Sequence, residues 1–191
     1  MKGKHIDMVR EYLKKTPIAN MSSISTLLPN RNYAYILMNH LLKKREIHRL
    51  TRGYYTVYEE PSLIVYCLKP AYLGLQDAMS FHNLWEQETN PIVVTVRKVR
   101  TGVRRVLGQN VWVRRISPKY LFGYDYITSG EFILPVSDVE KTLIDIIYFG
   151  DMNESVMKRF AGKIDRKKLE GYLKKYEDNF RKKALKILRS L

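Results

Sequence analysis

A single cysteine, Cys67, stands in the 191 residues, so no disulfide can form within the chain and a reducing cytoplasm is the expected compartment. Acid is also scarce. Thirty-four Lys and Arg face 19 Asp and Glu, a formal charge of +15 with a pI near 9.8. No apolar run approaches the ~18 residues that a membrane-spanning helix needs. The opening Met1-Lys2-Gly3-Lys4-His5 leads into an amphipathic segment rather than the apolar stretch of a signal peptide. No P-loop, dinucleotide fingerprint or G-x-S-x-G occurs. The four histidines, His5, His40, His48 and His82, form no ligand pattern. Glu140, Lys141 and Asp145 raise the question of a metal-dependent nuclease, but Glu-x-Lys, which one large class of those enzymes uses, is missing throughout. The sequence therefore predicts no enzyme, no cofactor and no metal.

What is present is a core and a cationic surface. Hydrophobic residues make up 45% of the chain, enough to bury an interior. A charge excess of this size speaks to partners rather than to fold, with nucleic acid first and anionic membrane second. The excess is spread along the chain, but one stretch stands apart. Residues 89–124 hold Arg97, Lys98, Arg100, Arg104, Arg105, Arg114, Arg115 and Lys119 and no acid.

Residues 5–15 place Ile6, Val9, Tyr12 and Leu13 at helical spacing, and Thr16-Pro17 ends that helix. A short second helix beginning at Met21 or Ser22 turns Ile24, Leu27 and Leu28 inward. Asn30 or Asn32 caps a third, over roughly 31–45. Its apolar stripe is Ala34, Leu37 or Met38, Leu41 and Leu42, and its polar face carries Arg31, Asn32, Tyr33, Tyr35, Asn39 and Lys43. Next, 47–50 and 54–58 read as a hairpin whose tip, 51–53, uses Gly53 for a tight turn. Three helices followed by a hairpin predict a winged helix-turn-helix. A hairpin this small is marginal alone, so Tyr55 and Val57 would anchor it. Arg49, Thr51, Arg52 and Tyr54 would then face phosphate, with Ser23 on the second helix as a further contact.

Glu59-Glu60-Pro61 reads as a boundary, giving domains at 1–60 and 61–191. Beyond it, "SLIVYCLKP" reads as a short β-rich link and 71–88 as one helix with Leu75, Ala78, Met79 and Leu84 inward. Residues 90–100 and 110–116 read as strands with a turn and hairpin tip between them, so that 97–115 would be a basic hairpin. Two short strands follow in "YLFGYDYI" and "EFILPV". Residues 137–149 form an amphipathic helix, with Ser137 and Glu140 as its capping box. Three charged helices occupy 153–190. The predicted fold class is α+β: a winged helix-turn-helix, then a mixed domain with a small antiparallel sheet and a helical tail.

In this reading the N-terminal half of the third helix enters the major groove and the basic residues hold phosphate. Arg97, Lys98, Arg100, Arg104, Arg105, Arg114 and Arg115 form a second basic surface. It suits nucleic acid or an acidic protein, though charge is also a common guard for a strand edge. His82, beside Trp85, reads as a hydrogen-bonded packing residue. A protein-binding adaptor, or a nucleic-acid-processing enzyme, is the alternative function.

Three segments together resemble the AbiEi antitoxins, the abortive-infection regulators paired with nucleotidyltransferase-like toxins. "LLKKREIHRLTRGYYTV" is similar to the end of that family's winged helix. "AYLGLQDAMSFHNL" is similar to its Ser-Ala-Leu-x-x-His-Gly-Leu helix through Ala78, His82 and Leu84. "SDVEKTLIDIIYF" is similar to its Pro-Glu-Lys-Ala-Leu-x-Asp helix through Glu140, Lys141, Leu143 and Asp145. The chain departs from the pattern at Asp77, Met79, Asn83, Val139 and Thr142, which are packing and turn positions, and the last 40 or so residues carry no family signature. The resemblance implies a repressor of its own toxin–antitoxin operon, binding inverted repeats in duplex DNA as monomer or dimer. It also implies neutralisation of a toxin without a stable complex, as part of phage defence.

Overall fold

A computed structural model describes residues 2–87 and 89–188; positions 88, 189 and 190, which the sequence places in helices, lie outside them. The chain divides into two compact units, Met1–Cys67 with Arg105–Gln109, and Leu68–Arg104 with Asn110–Leu191.

In the first unit, α1 (Lys2–Lys14) buries Val9 and Leu13 on one face. The two-residue strand β1 (Ala19–Asn20) runs directly into α2 (Met21–Thr26), where the Asn20 side chain accepts from the Ser23 N–H at 2.8 Å. Asn30 caps α3 (Arg31–Lys43) in the same way, accepting from the Tyr33 N–H at 2.8 Å. These caps satisfy amides that a helix start leaves without a partner. Ala34, Leu37, Met38 and Leu41 of α3 are buried, and they join Val9, Leu13, Ile24 and Tyr55 in one apolar cluster. β2 (His48–Thr51) and β3 (Tyr54–Thr56) form the hairpin, with Gly53 at φ +80° in its turn. The sheet order is β1-β3-β2, antiparallel throughout.

Residues 61–67 depart from the expected β link. They form a 3-10 turn (Pro61–Leu63) and a short helix, α4 (Ile64–Cys67). Glu60 caps that turn by accepting from the Ser62 N–H at 2.9 Å, and proline in first position is already set for a helical start. Local capping outweighs the β preference of Ile64 and Val65.

The second unit is a mixed α and β assembly. After Cys67 the chain forms β4 (Ala71–Leu73), α5 (Leu75–Phe81), β5 (Ile92–Thr95), β6 (Gly102–Val106), β7 (Gln109–Arg115), β8 (Tyr124–Ser129), β9 (Phe132–Ser137), α6 (Val139–Phe149), α7 (Glu154–Lys158), α8 (Arg166–Leu173) and α9 (Asp178–Leu188), of which only Arg105–Gln109, at the β6–β7 turn, count with the first unit. The last three helices stand where the charged tail predicts them. The strands make a six-stranded sheet ordered β6-β7-β5-β4-β9-β8.

That sheet corrects several expectations. It is mixed rather than antiparallel, because β5 pairs β7 and β4 pairs β9 in parallel. The helix expected over 71–88 is a central strand, β4, followed by the seven-residue α5. Gly74, extended at φ −141°, separates the two, and Asn83 at φ +56° ends the helical run. Tyr72 thereby becomes a fully buried strand residue. The segment read as hairpin tip supplies its own strand, β6, so the hairpin spans 102–115 and Arg97, Lys98 and Arg100 precede it. At α6 the cap is Asp138, whose carboxylate accepts from the Lys141 N–H at 2.8 Å. Ser137 instead ends β9 and bonds the Thr142 hydroxyl at 2.7 Å. Among the described residues, no helix is long and apolar enough to cross a membrane.

Candidate nucleic-acid interface

The face of α3 that the core leaves uncovered is a single stripe. Arg31, Asn32, Tyr35, Ile36, Asn39, His40 and Lys43 are all exposed, at the three-to-four-residue spacing of one helical side. The stripe contains no acid. Arg31 leans on Tyr35, its guanidinium carbon 5.8 Å from the ring centre and an N–H 3.4 Å from the hydroxyl. The side chains of Asn32 and Asn39 make no hydrogen bond among the described residues. Of the expected contacts, Tyr33 lies off this stripe. It is half-buried and meets the His5 ring edge-on at 5.6 Å. Ser23 is committed to the α2 cap, its hydroxyl 3.2 Å from Asn20.

The hairpin is fastened by contacts that its own sequence does not announce. β1 pairs with β3 through Ala19 opposite Tyr55 and Asn20 opposite Tyr54. The Met21 N–H donates to the Gly53 carbonyl at 2.8 Å, and the Thr56 hydroxyl to the Pro17 carbonyl at 2.7 Å. Tyr55 is buried as expected, and Val57 is half-buried against the same cluster. Arg49 and Arg52 are exposed, Thr51 and Tyr54 half-exposed. Behind α3, Arg10 grips Glu46 with two N–H donors at 2.8 and 2.9 Å. Those hydrogen bonds hold the Glu46 carboxyl below the usual carboxylate range. The one acid near the end of α3 is thus neutralised by a partner from α1.

The second basic surface is only partly available. Arg114 is not without acid: it donates to both oxygens of Asp151 at 3.2 and 3.0 Å and lies 5.7 Å from the ring centres of Trp112 and Phe149. The sequence could not pair it, because Asp151 lies 37 residues away. This pair, with Trp85, Trp112, Gln76 and Asn90, lines a cleft of about 610 Å³. Arg105 returns to the Gly108 carbonyl at 3.3 Å within the β6–β7 turn, and Arg104 bonds the Arg100 carbonyl. Lys98, Arg100 and Arg115 are exposed.

The residues that carry the sequence motif of α6 are interior. Lys141 and Asp145 are completely buried and hydrogen-bonded to each other. Tyr72 donates to Asp145 at 2.7 Å, and Lys141 lies 3.2 Å from the Tyr176 hydroxyl. Burial pushes Asp145 up and Lys141 down, each against the pull of its partner's charge. Next to this pair, Asp138 accepts from the Tyr172 hydroxyl at 2.7 Å, and Lys168 bridges Asp138 and Glu140 at 3.1 Å each. Gly123, at φ +68°, passes so close that a Cβ there would lie 2.9 Å from Lys141 and from Tyr172. No buried side-chain N or O among the described residues lacks a partner, so this is a closed scaffold. His82 donates from Nε2 to the Ser137 carbonyl at 2.6 Å, the packing role its isolation suggests. Among the described residues no three His, Cys, Asp or Glu are placed to hold a metal.

Two exposed residues of α3, Ile36 and His40, escaped the sequence reading. Ile36 sits in the run Tyr35-Ile36-Leu37-Met38, which is apolar on every side, so periodicity could not say which members face solvent. No protein-family model matches the chain, and no curated protein matches it in sequence.

Proposed function

We propose that this chain is a sequence-specific regulator of transcription that binds double-stranded DNA. In this reading, α1–α3 and the β2–β3 hairpin act as a winged helix-turn-helix. The observation that carries it is the stripe on α3: cations at both ends, two uncommitted amides between them, and no acid. Such amides suit base edges in the major groove, and flanking cations suit phosphate. Arg49 and Arg52 on the hairpin would hold the neighbouring backbone. The resemblance to the AbiEi antitoxins supports a finer reading, an antitoxin that represses its own operon and counteracts a nucleotidyltransferase-like toxin without a stable complex. The protein has no catalytic role in this reading.

A gel-shift titration tests it, comparing the DNA upstream of its own gene with a shuffled duplex at several salt concentrations. Tight binding to the upstream DNA alone, weakening steeply with salt, is the expected result. Equal weak binding to both duplexes would reduce the charge to general phosphate affinity. The exposed Lys98, Arg100 and Arg115 favour a second reading, an adaptor docking on an acidic protein. Preparations free of nucleic acid by ultraviolet absorbance, together with capture of one acidic partner, would favour that alternative.

A further inference from the structure

Ile36 is 67% exposed in the middle of an otherwise polar helical face, and neither folding nor packing accounts for it. A β-branched side chain at a solvent-facing helical position is a poorer choice than Lys, Gln or Ala. Its neighbours one turn away on the same face are Asn32, Asn39 and His40, and it lies in the N-terminal half of the 13-residue α3. The half-exposed ring of Tyr35 beside it is turned to Arg31.

The major-groove edge of an A·T pair carries one apolar group, the thymine methyl, beside the adenine N6 donor and N7 acceptor. An aliphatic side chain between two free carboxamides complements that edge. We propose that Ile36 reads the C5-methyl of thymine, with Asn32 and Asn39 placed to read adenine, so that α3 selects sites with A·T pairs at its centre. The inference rests on the DNA-binding reading above and gives that site its base preference.

The test uses the full chain. A duplex is first selected from a randomised pool, and each thymine in it is then replaced in turn by deoxyuridine, which removes only the methyl. Wild type is expected to lose about fourfold in affinity at one thymine or more, the worth of burying one methyl-sized group. Ile36→Ala places a better helix former at an exposed position, so its fold is not at risk. This variant is expected to bind the thymine and deoxyuridine duplexes alike, with the affinity of wild type for the deoxyuridine duplex. Equal wild-type affinity for both duplexes would overturn the proposal and turn Ile36 towards a protein partner. So would discrimination that persists undiminished in Ile36→Ala. Failure to select any duplex overturns the DNA-binding reading itself and this inference with it, an outcome distinct from binding without methyl discrimination.

Discussion

Single residues divide sharply here between those that hold the molecule together and those that face outward. Lys141 and Asp145 sit at zero exposure in an aromatic surround, with the Lys141 ammonium 5.3 Å from the Phe122 ring centre and 5.5 Å from that of Tyr72. Removing one member of such a pair leaves a buried charge without compensation. Lys141→Met is therefore expected to destabilise the protein by about 3–5 kcal/mol in urea titrations near neutral pH. The sign with pH follows from Asp145. Burial raises its folded pKa, so its contribution is fully favourable below the unfolded value near 4 and is lost as pH rises through the folded value. The deficit of Lys141→Met should therefore shrink as pH is lowered. A deficit independent of pH would mean that Asp145 does not carry it. Outward residues behave differently. Arg52→Ala is expected to weaken binding to all duplexes alike and to flatten the salt slope by about one, as loss of a phosphate contact does. Asn32→Ala should relax sequence preference by about 1–3 kcal/mol of discrimination at one base pair; a uniform loss over all sequences would count against a base contact there.

Elements were legible where local chemistry decides them. Asn20 and Asn30 cap α2 and α3 through their own side chains, and for α3 the choice between Asn30 and Asn32 that the sequence leaves open falls to Asn30. Asn30→Ala is expected to cost about 1 kcal/mol of stability, read as a shift of the urea midpoint without change in slope. A larger loss would mean that Asn30 does more than cap. At α6 the same signature misled, because Ser137 and Asp138 are both good caps and only the end of β9 decides between them. Ser137 belongs to the strand, where it pairs with Tyr124, and Asp138 inherits the cap. Residues 71–88 failed for another reason. Leu75, Ala78 and Met79 keep helical spacing, yet Tyr72 and Leu73 are drawn into the centre of the sheet between β5 and β9. A fully buried strand is apolar on both faces, and periodicity cannot tell it from buried helix.

For the molecule as a whole, charge and titration set the conditions under which it works. Tyr72, Tyr172 and Tyr176 have their pKa raised by burial. Burial opposes a rise at Lys168, but its hydrogen bonds to Asp138 and Glu140 outweigh that and raise it too. In all four the folded state holds its proton more tightly than the unfolded chain. Stability is therefore full below the ordinary values near 10 and falls as pH climbs through the folded ones. Melting temperatures should drop above about pH 10; Tyr172→Phe should soften that drop. A flat profile to pH 11.5 would show that these groups are not linked to folding.

The sequence by itself determined the cationic balance, the α+β character, the three leading helices with their hairpin, and the helical tail. These depend on composition, on neighbours within a turn, and on caps a few residues away. Tertiary structure alone decided the mixed strand order of the sheet, the neutralisation of Arg114 by Asp151, the fastening of the hairpin through β1, and the burial of the α6 motif. It also decided that Ile36, in a run apolar all round, faces outward. Each depends on contacts between residues far apart in sequence, and the free energy that orders them is realised only once the chain has folded.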